Sequence, residues 1–317
     1  MKLDIIQITE HSTEIFHRLR WGDAGIACPH CGSIHIYNKG AGQTHICADC
    51  QSRFTDTSGT IFHSTKLPLS KWLVAIYMFC TQSRGVSSYN LSRLIGVSQP
   101  TCWKMLMKLR LSIKHDLSIT DTAIIDEVYL GADWSKKPAH AKFKHIPPPK
   151  RVWNLQGEEL KRYYRSQMLS AASKDKLPVI GISAYNKRSL MLLPFSTPLT
   201  SSLVRERITN EYSHVTHWVS DQSKLYWWMD EEGIKHSVCD HANHIYTSST
   251  GHSSNRLEGA FAHLKRMIRG IYQMFSDKYS SGYLNEFSWR WSFFEQKIED
   301  KMKQIFDFTT STRLSFR

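Results

Sequence analysis

The chain has 317 residues, 41% of them hydrophobic, with 41 Lys or Arg against 28 Asp or Glu and a formal net charge of +13. That length supports two or three domains with ordinary cores, and the longest apolar run, Trp72 to Cys80, falls short of the ~20 residues a membrane-spanning helix needs. A sequence pI near 9.4 favours a polyanionic partner, usually nucleic acid, although a basic chain can also be merely basic.

The first element is a pair of Cys-x-x-Cys knuckles, Cys28/Cys31 and Cys47/Cys50, with fifteen residues between them. Each pair fits a tight turn, so four thiolates can converge tetrahedrally on one Zn²⁺. Disulfides are the alternative, but the start MKLDIIQITEH lacks the apolar core of a secretory signal, and a reducing, cytoplasmic compartment is expected. With all four positions filled by protein the metal has no open site. It is expected to fold a ribbon and to catalyse nothing.

Pro68 and Ser70 then open a run that is apolar at helical spacing, Val86 to Ile95 reads as a second helix ended by Gly96, and Ser98 with Pro100 opens a third. Three helices with a Gly-containing turn before the last resemble a helix-turn-helix, whose final helix enters the major groove by its N-terminal end. On that reading Gln99, Thr101 and Lys104 face DNA. A plain helical connector is the alternative.

From Thr122 the periodicity shifts to strands: TAIIDEVYLG, LPVIGISAY and SLMLLPF, then a helix, the strand HVTHWVS, a helix, the strand IKHSV and a long helix SNRLEGAFAHLKRMIRG. The order matches an α/β, ribonuclease H-like plan, a mixed sheet with helices on its faces. Asp126 falls in the first strand, Asp221 at the end of the fourth, and Glu258 in the first turn of the last helix, which in this plan brings three carboxylates to one end of the sheet. Each acid has a bland alternative: Asp126 at a strand end, Asp221 as a helix N-cap, Glu258 in a capping box with Asn255. Strand side chains alternate, so only one of Asp126 and Glu127 is expected to enter the cluster. On the last helix Lys265 and Arg269 fall nearly in line with Glu258, where they could meet phosphates.

The succession CPHC, CADC, FTDTSGTIFHSTKLPLSKW, IIDEVYLG, WVSDQSKLY, HSSNRLEGAFAHLKR and YLNEFSWRW resembles the DDE transposases of bacterial insertion sequences that carry an N-terminal zinc ribbon, the ISXO-like group. The resemblance implies a ribonuclease H-like catalytic domain, binding of transposon ends in double-stranded DNA by the N-terminal modules, and a metal-bound triad at Asp126, Asp221 and Glu258. A homodimer or higher multimer on DNA and a nucleoid-associated location are the corresponding expectations. Hard oxygen ligands suit Mg²⁺ or Mn²⁺, and two such ions about 3.5 to 4 Å apart can serve an in-line phosphodiester displacement. A transposase-derived regulator without catalysis and a stand-alone nuclease are the alternatives.

The expected domains are a ribbon at 1–62, a helix-turn-helix-like segment at 63–118 and a catalytic domain at 119–317 with a basic insertion at about 131–176. That insertion carries eleven Lys or Arg against four Asp or Glu, a net +7. Lys136, Lys137, Lys150, Arg151, Lys161 and Arg162 are its candidate phosphate contacts, and a solvated surface segment is the alternative. Near the C-terminus Tyr283, Phe287, Trp291 and Phe294 recur at helical spacing, which predicts a helix packed on the sheet or on a second subunit.

Overall fold

The computed structural model describes residues 5–114, 119, 121–131, 176–195, 198–239, 253–273 and 277–311. No helix among them is long and apolar enough to cross a membrane. The chain divides into two compact units, Met1–Asp116 with Ser281–Arg317, and Leu117–Ser280. The division departs from the expected domains at the C-terminal end, where residues from Ser281 on join the N-terminal unit.

The first unit starts with helices α1 (Ile5–Glu10) and α2 (Ser12–Trp21) and a three-stranded antiparallel sheet, β1 (Ile36–Tyr37), β2 (His45–Cys47) and β3 (Arg53–Phe54). Ile26, Cys28, Ile36, Cys47 and Phe54 form the small core of that sheet, with Trp21 packed against it. Buried Asp56 bolts α2 to the ribbon. It accepts from Trp21 Nε1 at 2.7 Å and Gly42 N at 3.2 Å, while His45 Nε2 and His17 Nδ1 lie 2.9 and 3.0 Å from the same carboxylate. Burial opposes ionisation of Asp56, but the bonds from Trp21, His45 and Gly42 outweigh it and hold the carboxyl below its usual range.

Helices α3 (Leu69–Thr81), α4 (Ser88–Ile95) and α5 (Gln99–Ser112) follow as the apolar spacing predicts. Gly96 ends α4 in the left-handed conformation at φ 61°, where a side chain would be strained. Two C-terminal helices, α9 (Asp277–Ser292) and α10 (Ile298–Ser311), complete this unit from Ser281 onward. Trp289 of α9 and Met302, Ile305 and Phe306 of α10 share one core with Phe16, Phe62, Trp72, Phe79 and Leu106.

The C-terminal helix, expected to pack on the sheet or on a second subunit, has its buried partners within the first unit. Of the aromatic stripe, Tyr283 and Phe287 are buried, Trp291 is partly covered and Phe294 is exposed past the helix end. The helix meets α5: Gly282 lies against Met107 and Arg110, and Tyr283 lies under the Arg110 guanidinium at 4.4 Å. Glu286 is fully buried between Arg110 Nε at 2.7 Å and Arg290 Nη2 at 2.6 Å. Desolvation pushes its pKa up, and the two guanidinium charges more than reverse that. Glu286→Ala leaves buried cations without their counter-charge and is expected to cost about 3–5 kcal/mol in urea unfolding. A loss under about 1 kcal/mol would show that this ion pair is not what closes α9 on α5.

The second unit is a five-stranded mixed sheet in the order β6-β5-β4-β7-β8. Its strands are β4 (Thr122–Leu130), β5 (Leu177–Ala184), β6 (Met191–Pro194), β7 (His217–Ser220) and β8 (Lys235–Val238). Central β4 pairs antiparallel with β5 from Ala123 to Leu130 but parallel with β7 only from Thr122 to Ile124. One face, with Ala123, Ile125, Ile180 and Ile182, is covered by Val204 and Ile208 of α6 (Ser201–Glu211) and by Tyr226, Trp228 and Met229. The last two of these belong to short α7 (Trp228–Glu231), preceded by a 3₁₀ turn, Lys224–Tyr226, where one helix was expected. The opposite face receives α8 (Asn255–Met267), whose Leu257 and Phe261 pack over Gly181.

Candidate active site and metal-binding residues

Asp126 is paired across the sheet with Gly181, so both lie on the face that α8 covers. Glu127 points to the other face, where its Oε2 accepts from Tyr226 Oη at 2.8 Å and its Oε1 from Ser223 Oγ at 3.1 Å. Asp221 follows the end of β7, and its Oδ1 accepts from Ser223 N at 3.0 Å. Despite the alternation, oxygen atoms of Asp126, Glu127 and Asp221 all lie within 4.8 Å of one another. The expectation that only one of the adjacent acids joins the cluster is corrected here. Because pairing with β7 stops at Ile124, β4 has an open edge beside residues 126 and 127, and side chains from both faces reach the same point around it.

Glu258 is placed differently. It lies in the first turn of α8, exposed, and outside the group of three whose oxygens meet. Its charge is nevertheless felt at Asp126. Arg256 anchors this end of α8 by donating to the carbonyls of Tyr185 and Lys187 at 2.9 and 3.0 Å. The capping-box alternative with Asn255 is not formed, since Ser254 is the N-cap and the cap has no side-chain hydrogen bond. Lys265 is exposed on the same helix, while Arg269 lies within a π-helical turn, Ile268–Tyr272, that breaks the phase relating it to Glu258.

Burial, then the charges of Asp221, Glu127 and Glu258, push the Asp126 carboxyl up to about 8. Burial also raises Glu127, against the hydrogen bonds from Tyr226 and Ser223 that stabilise its anion. So much negative charge in a half-buried place calls for a cation, and carboxylates alone suit a hard one. The residues present therefore fit Mg²⁺ or Mn²⁺.

Gly181 is a site determinant that the sequence pattern did not single out. A Cβ there would lie 2.7 Å from Cε1 and Cζ of Phe261 and 3.0 Å from Cδ1 of Leu257. Its absence lets the Glu258-bearing helix approach at the level of Asp126. Gly181→Ala is expected to cost about 1–3 kcal/mol and to lower metal-dependent activity further than that loss explains, with Phe261→Leu restoring both. Activity unchanged in Gly181→Ala would reject this role.

In the ribbon, the four Sγ atoms of Cys28, Cys31, Cys47 and Cys50 lie within 4.8 Å of one another, with two S···S separations of 3.6 Å. Tetrahedral zinc with Zn–S bonds of about 2.3 Å needs about 3.8 Å. The two knuckles are built alike. Cys28 N and Cys47 N donate to Ser33 O and Ser52 O, and Gly32 and Gln51 take the left-handed conformation at φ 77° and 59°.

Residues 10–53 match the transposase zinc-ribbon domain, and residues 154–292 match the ISXO2-like transposase domain. Both matched models are transposase domains. The chain is 22% identical over 306 residues, 93% of its length and 95% of the relative's, to an uncharacterized protein in transposable element ISH50 of Halobacterium salinarum. The ISXO2-like match includes Asp221 and Glu258 and begins after Asp126. The ribbon match, together with the four converging thiols, supports a structural zinc.

Of the candidate DNA contacts, Gln99 and Lys104 are exposed on α5, and Thr101 is partly covered. The Gln99 amide donates to Ser88 Oγ of α4 at 2.8 Å, which fixes the start of α5 against α4. Lys136, Lys137, Lys150, Arg151, Lys161 and Arg162 lie outside the described residues. The sequence presents Glu127 only as the alternate to Asp126, whereas Ser223 and Tyr226 escape it: a Tyr beside Trp227 and Trp228 reads as core, and so it is, apart from its hydroxyl.

Proposed function

We propose that the chain binds insertion-sequence ends, cleaves phosphodiester bonds there with Mg²⁺ or Mn²⁺, and joins the freed 3′-hydroxyls to target DNA. The observation that carries this is the meeting of Asp126 and Asp221 at the open edge of β4, in a chain that matches a transposase domain over residues 154–292. The sheet order, with three antiparallel strands followed by two parallel ones, supports a ribonuclease H-like reading of the second unit.

In this reading Asp126 and Asp221 hold the cations, and Glu258 approaches from the α8 side of the sheet when they and DNA are bound. Two such ions supply activation of the attacking oxygen and stabilisation of the leaving one. Asp126 must lose its proton for this. Zinc stays in the ribbon, which with α3 to α5 recognises the ends. Gln99, Thr101 and Lys104 face the duplex as in a helix-turn-helix, and Lys265, Arg269 and the basic insertion contact phosphates. The proposed assembly is a homodimer or higher multimer on the DNA of a bacterial cytoplasm.

The deciding experiment incubates the full chain with DNA carrying the element's ends, a target plasmid and Mg²⁺. Cleavage with joining supports the proposal, cleavage alone indicates a nuclease, and specific binding without either indicates a regulator.

A pH dependence follows. Asp126 binds its proton more tightly folded than unfolded, where its pKa is about 4. Its contribution to stability is therefore full below about 4 and is lost as pH rises through about 8. A cation takes the proton's place, so apparent Mn²⁺ affinity should rise up to about tenfold per pH unit towards 8. In thermal unfolding, the stabilisation by Mn²⁺ should be greater at pH 8.5 than at pH 6. Equal shifts at both pH values would place the ion elsewhere.

A further inference from the structure

The Asp221 turn faces a mechanical problem. Backbone pairing between β4 and β7 ends at Ile124 and Val219, before either acid is reached. Asp221 therefore stands beyond the last ladder bond that ties β7 to β4, and a metal site built from both strands needs something to fix their separation.

Glu127 occupies that gap. Each of its carboxylate oxygens accepts one hydroxyl, Oε1 from Ser223 at 3.1 Å and Oε2 from Tyr226 at 2.8 Å. Ser223 in turn donates its backbone N–H to Asp221 Oδ1 at 3.0 Å, and its Oγ accepts from Leu225 N at 3.4 Å as the cap of the 3₁₀ turn. The Tyr226 ring is fully buried in the core that includes Ala123, Ile125, Ile180 and Ile182. A continuous chain of bonds thus runs from β4 through Glu127 to Ser223 and on to Asp221, with Tyr226 anchoring it in the core.

We propose that Glu127 is a positioning residue: clamped by Ser223 and Tyr226, it holds the Asp221 turn at the open edge of β4 and so sets the separation of Asp126 and Asp221. This rests on the reading of those two acids as the cation site. Each Glu127 oxygen accepts a hydroxyl in the orientation the clamp requires, and the side chain leaves from the sheet face opposite Asp126. Its role is distinct from ligation, because a neutral side chain that keeps the hydroxyl bonds can perform it. Gln can do so by accepting one hydroxyl proton and donating to the other oxygen.

The test compares Glu127→Ala, Glu127→Gln and Tyr226→Phe in the full chain, reading cleavage of end-containing DNA against Mn²⁺ concentration. Glu127→Ala and Tyr226→Phe are expected to raise the Mn²⁺ needed for half-maximal cleavage about tenfold or more, with much of the rate recovered at saturating Mn²⁺. Glu127→Gln is expected to restore most of what Ala loses, and thermal unfolding in parallel shows which variants fold. If Glu127→Gln is as inactive as Asp221→Asn at every Mn²⁺ concentration, Glu127 is a ligand and the proposal falls. It also falls if folded Glu127→Ala and Tyr226→Phe behave as wild type. Wild-type cleavage by Asp221→Asn would instead remove the underlying site assignment, a result the Glu127 variants cannot produce.

Discussion

Asp126→Asn, Asp221→Asn and Glu258→Gln are each expected to lower Mg²⁺-dependent cleavage and joining by well over about 100-fold, more than the 10–100-fold that loss of a ligand's supporting residue costs. The change is close to isosteric and removes the charge that a hard cation needs. For Asp126 and Asp221 the expectation rests on their direct convergence. For Glu258 it rests on the approach of α8 over Gly181, on the Arg256 anchor, and on the influence of its charge at Asp126. Exposed and not in a capping box, Glu258 can become Gln with little loss of stability or DNA binding. The comparison is made by single-turnover cleavage on end-containing DNA, with unfolding curves in parallel. If Glu258→Gln cleaves and joins at the wild-type rate, the cations are held by Asp126 and Asp221 without help from α8.

Cys47→Ser is expected to reduce zinc from one per chain to near zero and to weaken binding to end DNA by more than about tenfold. Cys47 is fully buried and belongs to the ribbon's core as well as to its thiol cluster. A core that small cannot order the ribbon without its metal. Stabilisation of the second unit by Mn²⁺ should survive, because its acids belong to a separate unit. Zinc analysis and gel-shift titration check this. Full zinc and unchanged specific binding would reject the assignment.

Much was legible in the sequence because its signals are local. The Cys spacing specifies knuckles whose turns close within a few residues. Gly96 ends α4, and the order of strands and helices follows from periodicity. Asp126 and Asp221 could be paired from their places in that order alone.

Other features depend on where elements stop and what they meet. That β7 leaves β4 at Ile124 is what allows Glu127 to reach the cluster, and no alternation pattern contains it. The partners of Asp56 come from α2, from the turn before β2 and from β2 itself. Glu286 finds Arg110 from 176 residues away, and with Trp289 carries the C-terminal helices into the first unit. An apolar stripe says that a helix must be covered, and a buried charge says that it must be paired. Only the folded chain decides by what, because burial and pairing reward whichever complementary surface the tertiary structure brings within reach.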